Sequence, residues 1–237
     1  MQPEAASDAR YWPVPILRAI PFLVLGMIIT FVNNHSTSIG LVVFGATTVV
    51  GGLVLVFGSR RWLDDSGSRS LAVVQGIVSL VFGVLALVLS HGGVPGLVAL
   101  VVGWAVLSGA LEVVTGLRRR RRSALARDWI VLGVITLALV VAYFLVPSDY
   151  AEPFGGIEKI KGTLTAATIL VGILGAYGAV AGVFLVIQGL SLKWQTGTPE
   201  SFLAEVAESS GGGQGTAARG TAVQGTAESN IDGAHRP

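Results

Sequence analysis

Glu112 is the residue with the most chemical promise in this chain. It lies in Gly109-Ala110-Leu111-Glu112-Val113-Val114-Thr115-Gly116, and it reads as the one ionisable side chain well inside a long apolar run. A carboxylate in hydrocarbon is costly to ionise, and such groups mark proton or ion pathways. Its candidate chemistry is therefore an intramembrane relay. The plainer alternative is that Glu112 reaches an interface or pairs with an arginine, because Arg118 follows six residues later, about 9 Å along a helix. His35 and His91 come next, in two connections between apolar runs. Histidine changes charge between about pH 5 and 8, so the two are candidate pH sensors or else simply solvated loop residues. Two histidines and scattered carboxylates do not make a metal-ligand spacing, so no metal site is expected. The chain has no Cys, which excludes disulfides, thiolate ligands and a Cys nucleophile. No phosphate-cradling Gly-Lys-Ser/Thr loop, Gly-x-Ser-x-Gly elbow or His-Glu-x-x-His helix is present. The expectation is a protein with no cofactor and no enzymatic activity.

The elements that must position these residues follow from composition. Of 237 residues, 52% are hydrophobic and only 13% charged, and the mean hydropathy is +0.71. A soluble domain carries roughly 25% charged residues. Apolar runs long enough to cross a bilayer fall at Pro15 to Val32, Ile39 to Phe57, Leu71 to Leu89, Gly96 to Leu117, Trp129 to Val146 and Leu164 to Leu192. The fold class is all-α, a polytopic membrane protein with six transmembrane helices in three repeated hairpins. The last run exceeds what a bilayer needs, so its helix tilts, bends at glycine or extends beyond the membrane. Residues 1–14 form an N-terminal segment, 15–193 the membrane domain and 194–237 a tail.

Charge sets the orientation. Arg10 and Arg18 lie before or at the first run, Arg60, Arg61 and Arg69 follow the second, and Arg118, Arg119, Arg120, Arg121, Arg122 and Arg127 follow the fourth. With Lys193, Arg219 and Arg236, 14 of the 16 Lys and Arg residues fall on one side. The positive-inside rule makes that side cytoplasmic, with both termini there. Trp12, Trp62, Trp129 and Trp194 sit at ends on the same side, as interfacial indoles do. The Arg118 to Arg122 run and the Arg60–Arg61 pair read as topology anchors, and the run would also attract anionic lipid headgroups. The cations orient helices, so no nucleic-acid partner is expected; the partner is the lipid bilayer.

The runs repeat. The odd ones share Val24-Leu25-Gly26, Val74-Gln75-Gly76 and Val131-Leu132-Gly133. The even ones carry two glycines seven apart before a basic end: Gly51 and Gly58, Gly109 and Gly116, Gly182 and Gly189. In this alignment Glu112 corresponds to Val54 and Leu185. The copies share one orientation, unlike the inverted repeats of many transporters. Glycines at such spacings, Gly178 included, let helices approach closely, within the bundle or in a homo-oligomer. Gln75 and Gln188 are expected to hydrogen-bond between helices.

With the Gly-centred phrase of the odd runs, the Gly109-x-x-Glu112 followed by basic residues, and Leu145-Val146-Pro147 closing the fifth run, residues 15 to 193 resemble the HdeD-like acid-resistance membrane proteins. The resemblance implies a six-span bacterial cytoplasmic-membrane protein built from a short repeat, contributing to acid or envelope stress tolerance. It carries over no catalytic residues. The alternative is a small transporter or channel with Glu112 as relay. Beyond Trp194, Thr198-Pro199-Glu200 has the pattern of a helix start. From Ser209 onward, Gly-Thr-Ala recurring at 215, 220 and 225 is expected to be disordered.

Overall fold

The computed structural model of the chain describes residues 10–120, 125–147, 150–153 and 163–196. The sequence expectations for the tail beyond residue 196, and for Arg121 and Arg122, lie outside the described residues. The described residues form six α-helices: α1 (Pro13–Phe31), α2 (Thr37–Trp62), α3 (Ser66–Val88), α4 (Gly93–Arg119), α5 (Leu125–Phe144) and α6 (Ala166–Thr196). All six are long and apolar enough to cross a membrane. Between α5 and α6, β1 (Ala151–Pro153) pairs antiparallel with β2 (Thr163–Thr165), with Glu152 opposite Leu164. Hydropathy carries no signal for so short a ladder, and it was not expected.

The helix ends follow local chemistry. Pro13 opens α1, where its missing N–H costs nothing. Ser36 Oγ accepts from the Ile39 N–H at 3.4 Å, and Asp65 Oδ2 accepts from the Ser68 N–H at 2.7 Å, capping α2 and α3. Gly93, at φ 62°, turns the chain into α4 in a conformation other residues rarely adopt. Arg60 and Arg61, Arg118 and Arg119, and Lys193 lie in the last turns of α2, α4 and α6. There they complement the negative ends of the helix dipoles. The odd helices begin and the even helices finish at this one end, called here the basic end.

The tightest packing does not follow the expected hairpins. The most extensive helix contacts are α2 with α3, α4 with α5, and α6 with α1, so the intimate pairs are joined across the basic end and the last closes the ring. Glycine explains the closeness. A Cβ on Gly76 would lie 2.7 Å from Val56 Cγ2 and 2.8 Å from the Gly52 carbonyl oxygen; on Gly133 it would lie 2.7 Å from Val113 Cγ2 and 2.8 Å from the Gly109 oxygen. The two settings superpose with a shift of 57 positions: 52 onto 109, 56 onto 113, 76 onto 133. In α6, Gly182 faces Leu23 as Gly52 faces Leu80 and Gly109 faces Leu137.

This register corrects the one read from the basic ends by a single residue. Gly52, not Gly51, is the counterpart of Gly109; an added Cβ on Gly51 would meet only ordinary contacts at 3.8 Å or more. Glu112 therefore corresponds to Leu55 and Leu185, all three buried, and not to Val54. The same shift places Ala19, not Gly26, beside Gly76 and Gly133. Gly26 still packs closely, against the backbone of Ala179 at 2.9 Å. Gly58, Gly116, Gly178 and Gly189 are also close-contact positions, against Val14, Ala126 and Ile130, Phe22 and Leu25, and Ile16 respectively.

Candidate functional site

The middle of the bundle, on the side nearer the basic end, holds a buried polar network centred on Glu112. Glu112 Oε1 accepts from Arg18 Nη2 at 2.7 Å and from Gln75 Nε2 at 2.6 Å. Gln75 Nε2 also donates to Ser108 Oγ at 2.9 Å. Glu112 Oε2 lies 3.4 Å from Thr136 Oγ1, whose single proton is shared between this carboxylate and the Leu132 carbonyl oxygen at 2.9 Å, and Thr136 and Tyr177 share a hydrogen bond of 3.0 Å. The Glu112 side chain is 1% exposed and that of Arg18 is 8% exposed.

The repeat explains why these residues meet. Arg18, Gln75 and Leu132 occupy the same register on α1, α3 and α5, and Leu55, Glu112 and Leu185 the same register on α2, α4 and α6. Two of the three odd positions carry donors, and one of the three even positions carries an acid. One carboxylate thus collects Arg18 from the first repeat, Gln75 from the second and Thr136 from the third. A second set of tethers obeys the same rule. Thr47 Oγ1 donates to the Pro21 oxygen at 3.3 Å, Trp104 Nε1 donates to Ser79 Oγ at 3.0 Å, and Tyr177 meets Thr136. Thr47, Trp104 and Tyr177 are equivalent positions on the three even helices.

Beyond Glu112 the network ends in aromatic rings. Trp104 stands edge-on to Phe44 at 5.4 Å and to Tyr177 at 6.1 Å, and Phe22 stands edge-on to Tyr177 at 5.9 Å. Past these rings the core is apolar except for the Tyr143 hydroxyl, which donates to the Leu170 carbonyl oxygen at 3.1 Å, with Leu41, Leu97, Val101, Leu170, Val171 and Leu174 fully buried. The arrangement is a one-sided polar site closed by packed side chains. Chemically, the arrangement holds one carboxylate among donors from α1, α3 and α5.

Sequence reasoning placed Glu112 inside a span and Gln75 in an interhelical hydrogen bond, and both stand so. Arg18 is the correction: it is a second charged residue inside the bundle, buried against Glu112, rather than a topology residue at the membrane edge. The candidate arginine partner, Arg118, is exposed. Gln188 is buried, but its Nε2 has no partner among the described residues. Trp104 escaped notice because an indole in an apolar run looks like any core residue. Its 57-residue relation to Thr47 was the available signal. Trp129, expected at an interface, is buried beneath Arg119, whose guanidinium carbon is 6.0 Å from its ring. His35 and His91 lie at the opposite end from the basic residues, in separate connections, and are not brought to Glu112. Arg60, Arg61 and Arg120 are exposed. Among the described residues, no group of three or more His, Asp or Glu could hold a metal ion.

The tether at Trp104 gives a first test. Ser79→Ala removes the acceptor of the Trp104 indole N–H and leaves the indole's ring contacts in place, so it is expected to lower unfolding stability in micelles by about 1–3 kcal/mol. A loss below the error of the titration would mean that the indole acts through packing alone.

The repeated helices, glycine-packed pairs and buried ion pair define a multi-pass, all-α integral membrane protein built from an internal repeat. Two segments, residues 17–88 and 74–146, match the family described as "short repeat of unknown function (DUF308)". Together they span more than half of the chain, and they begin at 17 and 74, the same 57-residue shift that the packing shows. The chain belongs to this family. It is also 32% identical over 140 residues to the nickel-cobalt-cadmium resistance protein NccA of Alcaligenes xylosoxydans xylosoxydans, a match covering 56% of this chain but only 11% of that much longer protein. No solved structure matches.

Proposed function

We propose that this chain is a non-enzymatic helix scaffold of the bacterial cytoplasmic membrane, both termini cytoplasmic, that contributes to tolerance of acid or envelope stress as the HdeD-like proteins do. The observation that carries the scaffold reading is the Glu112 carboxylate held by Arg18, Gln75 and Thr136, one from each repeat. A carboxylate bound in this way ties helices together and is poorly placed to shuttle protons. Among the described residues the packing beyond Trp104 and Tyr177 is apolar apart from the Tyr143 hydroxyl, which is bound to the Leu170 carbonyl oxygen, so it offers little to continue a substrate path. The orientation rests on the cations gathered at one end. The stress assignment rests on the family resemblance, and the name of the metal-resistance relative adds divalent metal challenge to the conditions worth testing.

The experiment is survival of a deletion strain after acid shock, and separately after nickel, cobalt or cadmium exposure. The strain is complemented with wild type, Glu112→Gln and the His35→Ala/His91→Ala double variant at matched membrane levels. Deletion is expected to lower acid survival and wild type to restore it. The histidine double variant should restore it equally, because those side chains lie at the opposite end of the bundle from the basic residues and from the Glu112 network. No loss on deletion under any of these challenges would remove the stress role.

A further inference from the structure

A groove between α5 and α6 opens on the outer face of the bundle. Its volume is about 420 Å³ and its lining is wholly apolar: Ile135, Ala179, Val180, Val183, Phe184 and Ile187. Ile187 lies six residues before Lys193 and Val180 thirteen, so the groove runs from about 9 to about 20 Å below the basic end. That is the depth of one leaflet's acyl chains in a hydrocarbon core of about 30 Å.

The mouth of the groove carries paired charges. Asp128 lies seven residues before Ile135 on the groove side of α5 and is half-buried, while Arg127 beside it is exposed, seven residues before the lipid-facing Val134. Trp194 lies seven residues after Ile187 on the same face of α6 and is 71% exposed, leaving its indole N–H available at the interface. An arginine fork suits a phosphate, and a neighbouring carboxylate suits an ammonium. A second apolar groove, between α1 and α2, is lined by Val42 to Val50 on its α2 wall. That wall starts eleven residues from Arg61, about 16 Å away, and Arg18, two residues before Ile20 on the α1 wall, is paired with Glu112.

We propose that the α5–α6 groove binds one phospholipid of the basic-end leaflet. An acyl chain lies along Val180, Val183 and Ile187, the phosphate sits on Arg127 and Trp194, and a primary ammonium sits on Asp128. The lipid class that meets this chemistry is phosphatidylethanolamine. Phosphatidylglycerol lacks the ammonium, and phosphatidylcholine carries one with no N–H to donate.

Native mass spectrometry of the full chain, equilibrated in detergent with each of the three lipids, tests this. One phosphatidylethanolamine is expected to stay on each chain, at about tenfold higher occupancy than the other two. Val183→Trp fills the groove and should abolish retention. Arg127→Gln, which leaves every span apolar and folded, should lower it about tenfold, whereas Val141→Trp, on the lipid face of α5 outside the groove, should not change it. Soluble phosphoethanolamine should not displace the lipid, because the chain supplies the burial. Equal retention of all three lipids, or wild-type retention by either Val183→Trp or Arg127→Gln, would overturn the proposal.

Discussion

Removing either half of the Arg18–Glu112 pair is expected to cost the folded bundle about 3–5 kcal/mol, because each single variant leaves the other charge buried without its counterion. The pair sits where water cannot replace it, with both side chains under 10% exposed. Glu112→Gln strands a guanidinium; Arg18→Leu strands a carboxylate with only Gln75 and Thr136 to stabilise it. The net worth of the intact pair is a different quantity, since the desolvation of two ions offsets much of their attraction. The repeat itself supplies the control. Leu132 occupies the register of Arg18, and Leu55 and Leu185 occupy that of Glu112, so leucine already fits both places elsewhere in the same molecule. Arg18→Leu/Glu112→Leu should therefore recover most of the lost stability. Unfolding titrations in mixed micelles would read all three variants. Singles within about 1 kcal/mol of wild type, or a double variant no better than the singles, would show that the ion pair does not hold the helices together. The double variant also separates scaffold from relay. Full complementation of the deletion strain by a chain with no carboxylate at position 112 would leave no relay to discuss.

The pair also shows where reading the sequence stopped. Hydropathy located all six helices within a few residues of their observed ends, because the bilayer sets both length and polarity of a span. Glu112 stood out for the same reason. Arg18 did not, because a cation five residues into a span is indistinguishable by composition from one that snorkels to the interface. Deciding between them needed the partner, 94 residues away. The repeat was visible but slipped by one residue, since Gly51 and Gly52 are adjacent and the basic ends favoured the wrong one. A one-residue slip on a helix turns the face by about 100°, which exchanged buried Leu55 for half-buried Val54 as the counterpart of Glu112. The hairpins read along the chain were right as repeats. They did not reveal that α1 is most tightly packed against α6, because contact between the first and last helices leaves no local trace. Glycine spacing was the nearest clue, and which glycines matter depends on what faces them.

That dependence yields the second large effect. Gly133 and Gly172 are both helical glycines in neighbouring spans, and composition gives no reason to treat them differently. At Gly133 an added Cβ would lie 2.7 Å from Val113 Cγ2, 2.8 Å from the Gly109 oxygen and 2.9 Å from the Val113 nitrogen. Two of those three atoms are backbone, so relief requires α4 and α5 to separate, with loss of packing along their whole contact. At Gly172 a Cβ would meet nothing within 4 Å. Alanine is favoured over glycine in a helix by about 1 kcal/mol, so Gly172→Ala should stabilise the protein slightly. Gly133→Ala carries the same gain but should destabilise by about 1–3 kcal/mol from overpacking, and Gly133→Leu should fail to accumulate as folded protein. Gly76→Ala, facing the same atoms 57 positions earlier, should match Gly133→Ala within about 0.5 kcal/mol, the scatter expected of independent sites. Thermal unfolding of the three alanine variants in one detergent, with the folded yield of Gly133→Leu, would show the pattern. If Gly133→Ala and Gly172→Ala proved alike, close helix approach would not be what glycine provides in this membrane domain, and the α2–α3 and α4–α5 pairs would have to be held by their side chains alone.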